Sequence, residues 1–204
     1  IEDMTGRHAP NYVSVIYSTF RSVLAHAQDH GLIGGLPFPA RSRIKTRNTR
    51  QPNHLTVEEA ETVIRALPDP YGVMAEVALL TGMRVGEIAA LAADDLDHTR
   101  RILHVRGTMS HDGTIGPPKT RNGLRVIPLS PRAYELLASA ATTGRLFNVP
   151  GIDACTSTMQ RTLDKTGLRR QGRGWHAFRH AHQTMLEASG LSIRDAAARM
   201  GHGA

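Results

Sequence analysis

Three stretches of the chain carry residue types that can act on an anion. His176 and Arg179 lie three positions apart. On a helix that spacing turns two side chains about 60° from one another, so both can address one target such as a phosphate. The alternative is an exposed basic helix face, or a half-buried histidine whose hydrogen bonds are satisfied. His180 and His182 follow and raise metal binding, but a zinc helix of the protease type needs a Glu directly after its first His, and Ala177 stands there. Arg84 falls just after Thr81-Gly82, in the first turn of an expected helix, where free N–H groups and the helix dipole favour an anion over a cation. An arginine in that place points to a local anion, and pairing with Glu87 at i+3 is the structural alternative. Lys119 sits beside an expected hairpin turn with Arg121 and Arg125 around it, where a lysine also reads as a solvated edge residue.

These residues need elements to hold them. Val13, Ile16, Tyr17, Phe20, Leu24 and Ala27 follow helical spacing from Tyr12 to His30, and Gly31 stands where a glycine ends a helix. Next to Gly34, Gly35, Pro37, Pro39 and Pro52 runs a stretch with Arg41, Arg43, Lys45, Arg47 and Arg50 and no acid, which reads as a basic linker. Thr56 and Glu59 form a capping box ahead of a helix from Val57 to Leu67. A second helix from Val73 to Leu80 stops at Thr81-Gly82, and a third begins at Val85. Short β-prone runs at Ile102 to Arg106, Thr114 to Ile115 and Leu124 to Ile127 predict a small sheet. Asn122-Gly123 would turn the hairpin between the last two, and Pro117-Pro118 would put the middle strand at an edge. Ser130-Pro131 opens a helix through about Ala141, and further helices are expected from Ala154 to Thr166, His176 to Ser189 and Ser192 to Gly201. The fold class is mainly α with a small three-stranded antiparallel β-sheet.

At 204 residues, 40% hydrophobic and 21% charged, the chain has the composition of a globular protein and can bury a core without disulfides. No apolar run nears the ~20 residues of a membrane span, which excludes a membrane protein; the composition excludes a disordered chain. Lys and Arg number 25 against 18 Asp and Glu, a net +7, which favours a polyanion such as nucleic acid or an anionic lipid surface. The single Cys155 fits a reducing compartment, with the cytoplasm as the expected location. The chain opens at Ile1 with neither an initiator Met nor a signal-like segment, so a piece of a longer protein is expected.

Taken together and in order, four motifs carry more than any one of them. They are Leu79-Leu80-Thr81-Gly82-Met83-Arg84-Val85-Gly86-Glu87, Lys119-Thr120 running to Arg125-Val126-Ile127-Pro128-Leu129, His176-Ala177-Phe178-Arg179-His180, and Gly201-His202. From about Leu55 onward the chain resembles the tyrosine recombinase, or phage integrase, family. The resemblance implies an integrase-like catalytic domain over 55–204, the C-terminal part of a helical core-binding domain over 1–33, and a basic linker over 34–54.

It further implies a site-specific recombinase that cuts and rejoins DNA through a 3′-phosphotyrosyl intermediate, without metal or nucleotide cofactor. Such a protein would be bacterial or phage-encoded and cytoplasmic, and at full length a homotetramer on paired sites in double-stranded DNA. Arg84 and Arg179 match the arginines that neutralise the phosphate, because planar donor forks can replace a metal there. Lys119 matches the lysine that protonates the leaving hydroxyl; Arg121 is the runner-up, but a guanidinium is a poor proton donor. His176 matches the histidine that assists proton transfer at the nucleophile, and His202 the residue that hydrogen-bonds the phosphate. Glu87 matches an acid that orients its neighbours, and His180 accompanies the motif at lower rank. Arg41, Arg43, Lys45, Arg47, Arg50, Arg121 and Arg125 are the expected DNA contacts. The family's nucleophilic tyrosine follows Gly-His, whereas Tyr12, Tyr17, Tyr71 and Tyr134 all precede it. None of them matches, so the chain as given is expected to bind DNA without cleaving it. The alternative is a non-catalytic DNA-binding protein on the same fold.

Overall fold

Pro10 stands in the first turn of helix α1 (Pro10–Asp29), where a residue without an N–H loses no helical hydrogen bond. Gly31 follows the helix with φ of 69°, the left-handed conformation that glycine adopts without a Cβ penalty. This helix, expected from its apolar spacing, belongs to the first of two units into which the chain divides, Ile1–Gln51 and Pro52–Ala204. The computed structural model describes residues 4, 7–37, 54–118 and 123–190. Among them no helix is long and apolar enough to cross a membrane.

The second unit opens with the expected capping box. The Thr56 amide donates to Glu59 Oε2 at 3.1 Å and the Glu59 amide to Thr56 Oγ1 at 3.2 Å, which starts α2 (Val57–Ala66). Helix α3 (Tyr71–Thr81) is apolar around most of its circumference, with Met74, Ala75, Val77, Ala78 and Leu79 buried. A helix of that composition has to be surrounded. It packs against α2, α4 (Val85–Ala89), α5 (Pro131–Ala140), α6 (Ile152–Lys165) and α7 (Trp175–Ala188). Gly82 ends it in the left-handed region, φ 66°. Ser130 caps α5 by accepting from the Ala133 amide at 3.3 Å, with Pro131 at the first position as its sequence predicts.

Strands β1 (Leu96–Asp97), β2 (Ile102–Val105) and β5 (Arg125–Pro128) form an antiparallel three-stranded sheet in the order β1-β2-β5. The expected sheet is present, but one of its members differs. The middle run, observed as β4 (Ile115–Gly116), instead pairs with β3 (Thr108–Met109) in a separate two-stranded ribbon. No ladder joins β4 to β5 among the described residues. Asp112-Gly113 makes the tight turn of that ribbon, with Gly113 at φ 86° and the Ser110 amide donating to the Thr114 carbonyl at 2.8 Å. Around the expected Asn122-Gly123 turn, Gly123 lies against Pro118: a Cβ on Gly123 would overlap Pro118 Cβ and lie 3.1 Å from its Cγ. Gly123 thus packs on Pro118, and Asn122 of the expected turn lies outside the described residues. The expected helix from Ser192 to Gly201 lies outside the described residues.

Candidate functional site

The register of β2 and β5 sets up the electrostatics of the second unit. Leu103 faces Ile127 and Val105 faces Arg125, and residues two apart on a strand share a face. Leu103, Val105 and Ile127 are buried, so Arg125 occupies the inner face of the sheet and its side chain is only 9% exposed. A buried arginine requires a carboxylate. Glu87 of α4, 3% exposed, supplies it: Arg125 Nη1 donates to Oε1 at 3.1 Å and Nη2 to Oε2 at 2.9 Å. The same Arg125 Nη1 also reaches the Gly123 carbonyl at 3.3 Å.

Glu87 serves Arg84 as well. Its Oε2 accepts from the Arg84 amide at 2.9 Å, the acid half of a capping box at the start of α4, and its Oε1 accepts from Arg84 Nη1 at 2.9 Å. The i+3 pairing considered from the sequence is thus present, and Arg84 still leaves 41% of its side chain in solvent. Burial alone would push the Glu87 carboxyl up. Hydrogen bonds and charge from Arg125, with those from Arg84, outweigh burial and hold it below the usual carboxylate range. Gly86 allows this helix to sit down on the ribbon, since a Cβ there would meet Thr108 Oγ1 at 2.7 Å and the Met109 carbonyl at 2.9 Å.

Helix α7 carries the other half. Arg179 is buried and donates from Nη1 to the carbonyl of Gly82, the residue that ends α3. One turn on, His182 Nδ1 lies 2.8 Å from the Leu79 carbonyl and donates to it. These two bonds fasten α7 to carbonyls at the C-terminal end of α3, which a helix leaves without partners of its own. His182, read from the sequence as a possible ligand, is a clamp between helices. Burial, then the charge of Arg84, holds the Arg179 guanidinium down to about 10, with Glu87 opposing and Arg125 adding to the shift. Arg179 stays cationic at neutral pH.

His176 and His180 lie on the exposed side of α7. Partial desolvation, then Arg179, His180 and Arg84, hold the His176 imidazole below its ordinary 6.5. The ring is therefore neutral at pH 7 and can accept a proton. Its titration midpoint, followed by NMR of the ring protons, is expected below 6.5 and should rise in Arg84→Gln, which removes one of the two guanidinium groups acting on it. A midpoint unmoved by that substitution would place Arg84 too far away to matter.

Among the described residues, Arg84, Arg125 and Arg179 together face one carboxylate, Glu87. Three positive charges against one leave two in surplus, on a cluster that reaches solvent through Arg84 and His176. Such a cluster favours an anion, and the guanidinium fork suits the oxygens of a phosphate. Tyr71 opens α3 at the end opposite Gly82, about 15 Å away along the helix. Tyr134 lies 3.0 Å from His98 and under Arg101, next to the Ile102–Pro128 end of the ladder rather than the Val105–Arg125 end. Tyr12 and Tyr17 belong to the first unit. Lys119, Arg121 and His202 lie outside the described residues, as do Arg41, Arg43, Lys45, Arg47 and Arg50.

Two arginines behave otherwise than their charge suggests. Arg125, expected at a DNA backbone, is inward-facing and committed to Glu87; its strand position beside Ile127 was the available signal. Arg173, not singled out from the sequence, is buried with Nη1 on the Leu168 carbonyl at 2.9 Å. Its Nη2 reaches the His54 carbonyl at 2.8 Å and Glu59 Oε2 at 3.1 Å.

A family model described as the phage integrase family matches residues 53–204. The prophage integrase IntR of Escherichia coli (strain K12) is 31% identical over 133 residues, covering 65% of this chain and 31% of that protein. The integrase of Mycobacterium phage L5 is 25% identical over 214 residues, covering 97% of this chain and 57% of that protein. The chain thus spans between about a third and just over half of these relatives. Among solved structures, the Tn1549 transposon integrase in complex with a circular intermediate DNA matches with a TM-score of 0.75 at 18% identity, covering 98% of this chain and 74% of that one. The XerA recombinase matches with a TM-score of 0.59 at 20% identity, covering 83% and 61%. At these identities the structural likeness speaks to the fold.

Proposed function

The chain belongs to the phage integrase family, and from that premise we propose that it is part of a site-specific recombinase that cuts and rejoins DNA through a 3′-phosphotyrosyl intermediate. The observation that carries this reading is the surplus of positive charge built on Glu87, with Arg84 and the neutral His176 at its exposed edge. A scissile phosphodiester seated there would place its non-bridging oxygens against Arg84 and Arg179. As the tyrosine oxygen attacks, negative charge grows on those oxygens, and pre-oriented guanidinium groups stabilise it without a metal. His176 receives the tyrosine proton. Lys119 gives a proton to the departing 5′-oxygen, and His202 hydrogen-bonds the phosphate. Glu87 holds the arginines, and His180 attends His176 on the same helix face.

In this reading residues 1–33 end a core-binding domain, 34–54 link it to the catalytic domain, and 55–204 carry the chemistry. Double-stranded DNA is the partner, a homotetramer on paired sites the assembly, and the cytoplasm the place. Arg41, Arg43, Lys45, Arg47, Arg50 and Arg121 contact the DNA backbone. If the five linker cations each neutralise one phosphate, the logarithm of the binding constant falls against that of salt with a slope of about −4.5. A slope near zero would remove the linker from the interface.

The reaction itself is tested with the full-length protein and its target DNA. A protein–DNA adduct that survives denaturation is expected, while residues 1–204 alone bind and leave the strands intact. Tight, site-specific binding by the full-length protein with no adduct would make it a DNA-binding regulator on this fold.

A further inference from the structure

The geometry of Glu87 raises a competition between two arginines. A carboxylate and a guanidinium prefer to meet through two parallel hydrogen bonds, and Arg84 is three residues from Glu87 with a long side chain that can turn toward it. Yet Arg84 reaches Glu87 with one guanidinium nitrogen only, Nη1 to Oε1 at 2.9 Å. The two-bond position belongs to Arg125, whose Nη1 and Nη2 take one oxygen each. Oε2 is further engaged by the Arg84 amide at 2.9 Å. The carboxylate is thereby filled, and among the described residues no partner takes up the remaining donors of the Arg84 fork at the solvent edge.

Resting on the recombinase reading, we propose that Arg125 is a positioning residue: by occupying Glu87 through both oxygens it keeps Arg84 from folding onto the carboxylate and so leaves that fork for the phosphate. Arg125 suits this task because β5 fixes it from the inner face of the sheet, opposite Val105, and because it also holds the Gly123 carbonyl at 3.3 Å. It touches no substrate in this arrangement. A role confined to stability would change adduct formation only in step with the melting temperature, which the second change also recovers in a buried pair. A competition makes the second change repair the rate of the folded protein itself, beyond what melting accounts for.

The test uses the full-length protein with Arg125→Met, Glu87→Gln and the two combined. Arg125→Met is expected to slow adduct formation about 10²-fold, the order seen when one transition-state donor is lost. In the parent, Glu87→Gln should slow it. In the Arg125→Met background the same change should speed it about tenfold, since a neutral amide no longer traps Arg84. A second slowing in that background would overturn the proposal. Arg125→Lys, which keeps the charge and loses the fork, provides a variant closer to the parent fold and is expected to slow adduct formation in the same direction, and normal activity in it would overturn the proposal too. An independent readout is side-chain NMR of residues 1–204. The Arg84 guanidinium, held by one bond in the parent, should rotate more slowly in Arg125→Met, where two can form. Equal rotation rates in both would overturn the proposal, whereas the slowing in a full-length protein that forms no adduct would fault the recombinase reading alone.

Discussion

Glu87→Ala is expected to destabilise the second unit by about 3–5 kcal/mol, the usual cost of leaving a buried charge without its partner. The stranded group is Arg125, 9% exposed on the inner face of the sheet; Arg84, 41% exposed, can turn to water and adds little. For a domain of this size the loss corresponds to a fall in melting temperature of about 10 °C or more. Replacing both partners, Glu87→Leu with Arg125→Met, should recover a large part of it, because the pair together offsets mainly its own desolvation. If the double variant melts no higher than the single one, the pair matters by shape rather than by charge. The acid limb supplies a second check. The Glu87 carboxyl titrates below its ordinary 4.5 when folded, so the unfolded chain takes up that proton first. Its contribution is complete above about pH 4.5 and is lost as the pH falls through the folded value. Glu87→Ala should flatten stability against pH in that window.

Arg179→Lys should cost the full-length protein about 10²- to 10³-fold in strand cleavage, while DNA binding changes little. The side chain is buried and its Nη1 is spent on the Gly82 carbonyl, so the fork is oriented before any substrate arrives. Lysine keeps the charge but offers a single ammonium, which cannot bind that carbonyl and a phosphate in one fixed plane. Binding is spread over many backbone phosphates and depends little on any one. A parallel loss of binding and cleavage would make Arg179 a general DNA contact. Thermal melting of the variant separates either outcome from a failure to fold.

Much of this was readable where the signal is local. Thr56 with Glu59, Ser130 before Pro131, and glycines at 31 and 82 mark helix ends by hydrogen bonds and dihedrals that involve only a few neighbouring residues. The histidine and arginine of α7 share a turn for the same reason. Strand partners are another matter. A two-residue strand such as Ile115–Gly116 has too few side chains to specify its neighbour, and Asn122-Gly123 promotes a turn without deciding whether the flanking strands pair. Arg125 and Glu87 are 38 residues apart, and nothing between them announces the contact. What the sequence did carry was the alternation that puts Arg125 on the side of Ile127, hence inward. Arg173 was hidden by its charge, which ordinarily marks a surface position; its burial depends on carbonyls that only the folded chain brings together.

The bonds of Arg173 have a mechanical consequence. Its Nη2 grips the His54 carbonyl and the Glu59 carboxylate, at the point where the second unit begins, and it stands three residues ahead of His176. A pull on the backbone at His54 meets the Arg173 guanidinium there. From there the load passes through one guanidinium to the start of α7, the helix that holds His176 and Arg179. Load applied at His54 is therefore shared between α2, through Glu59, and the root of α7.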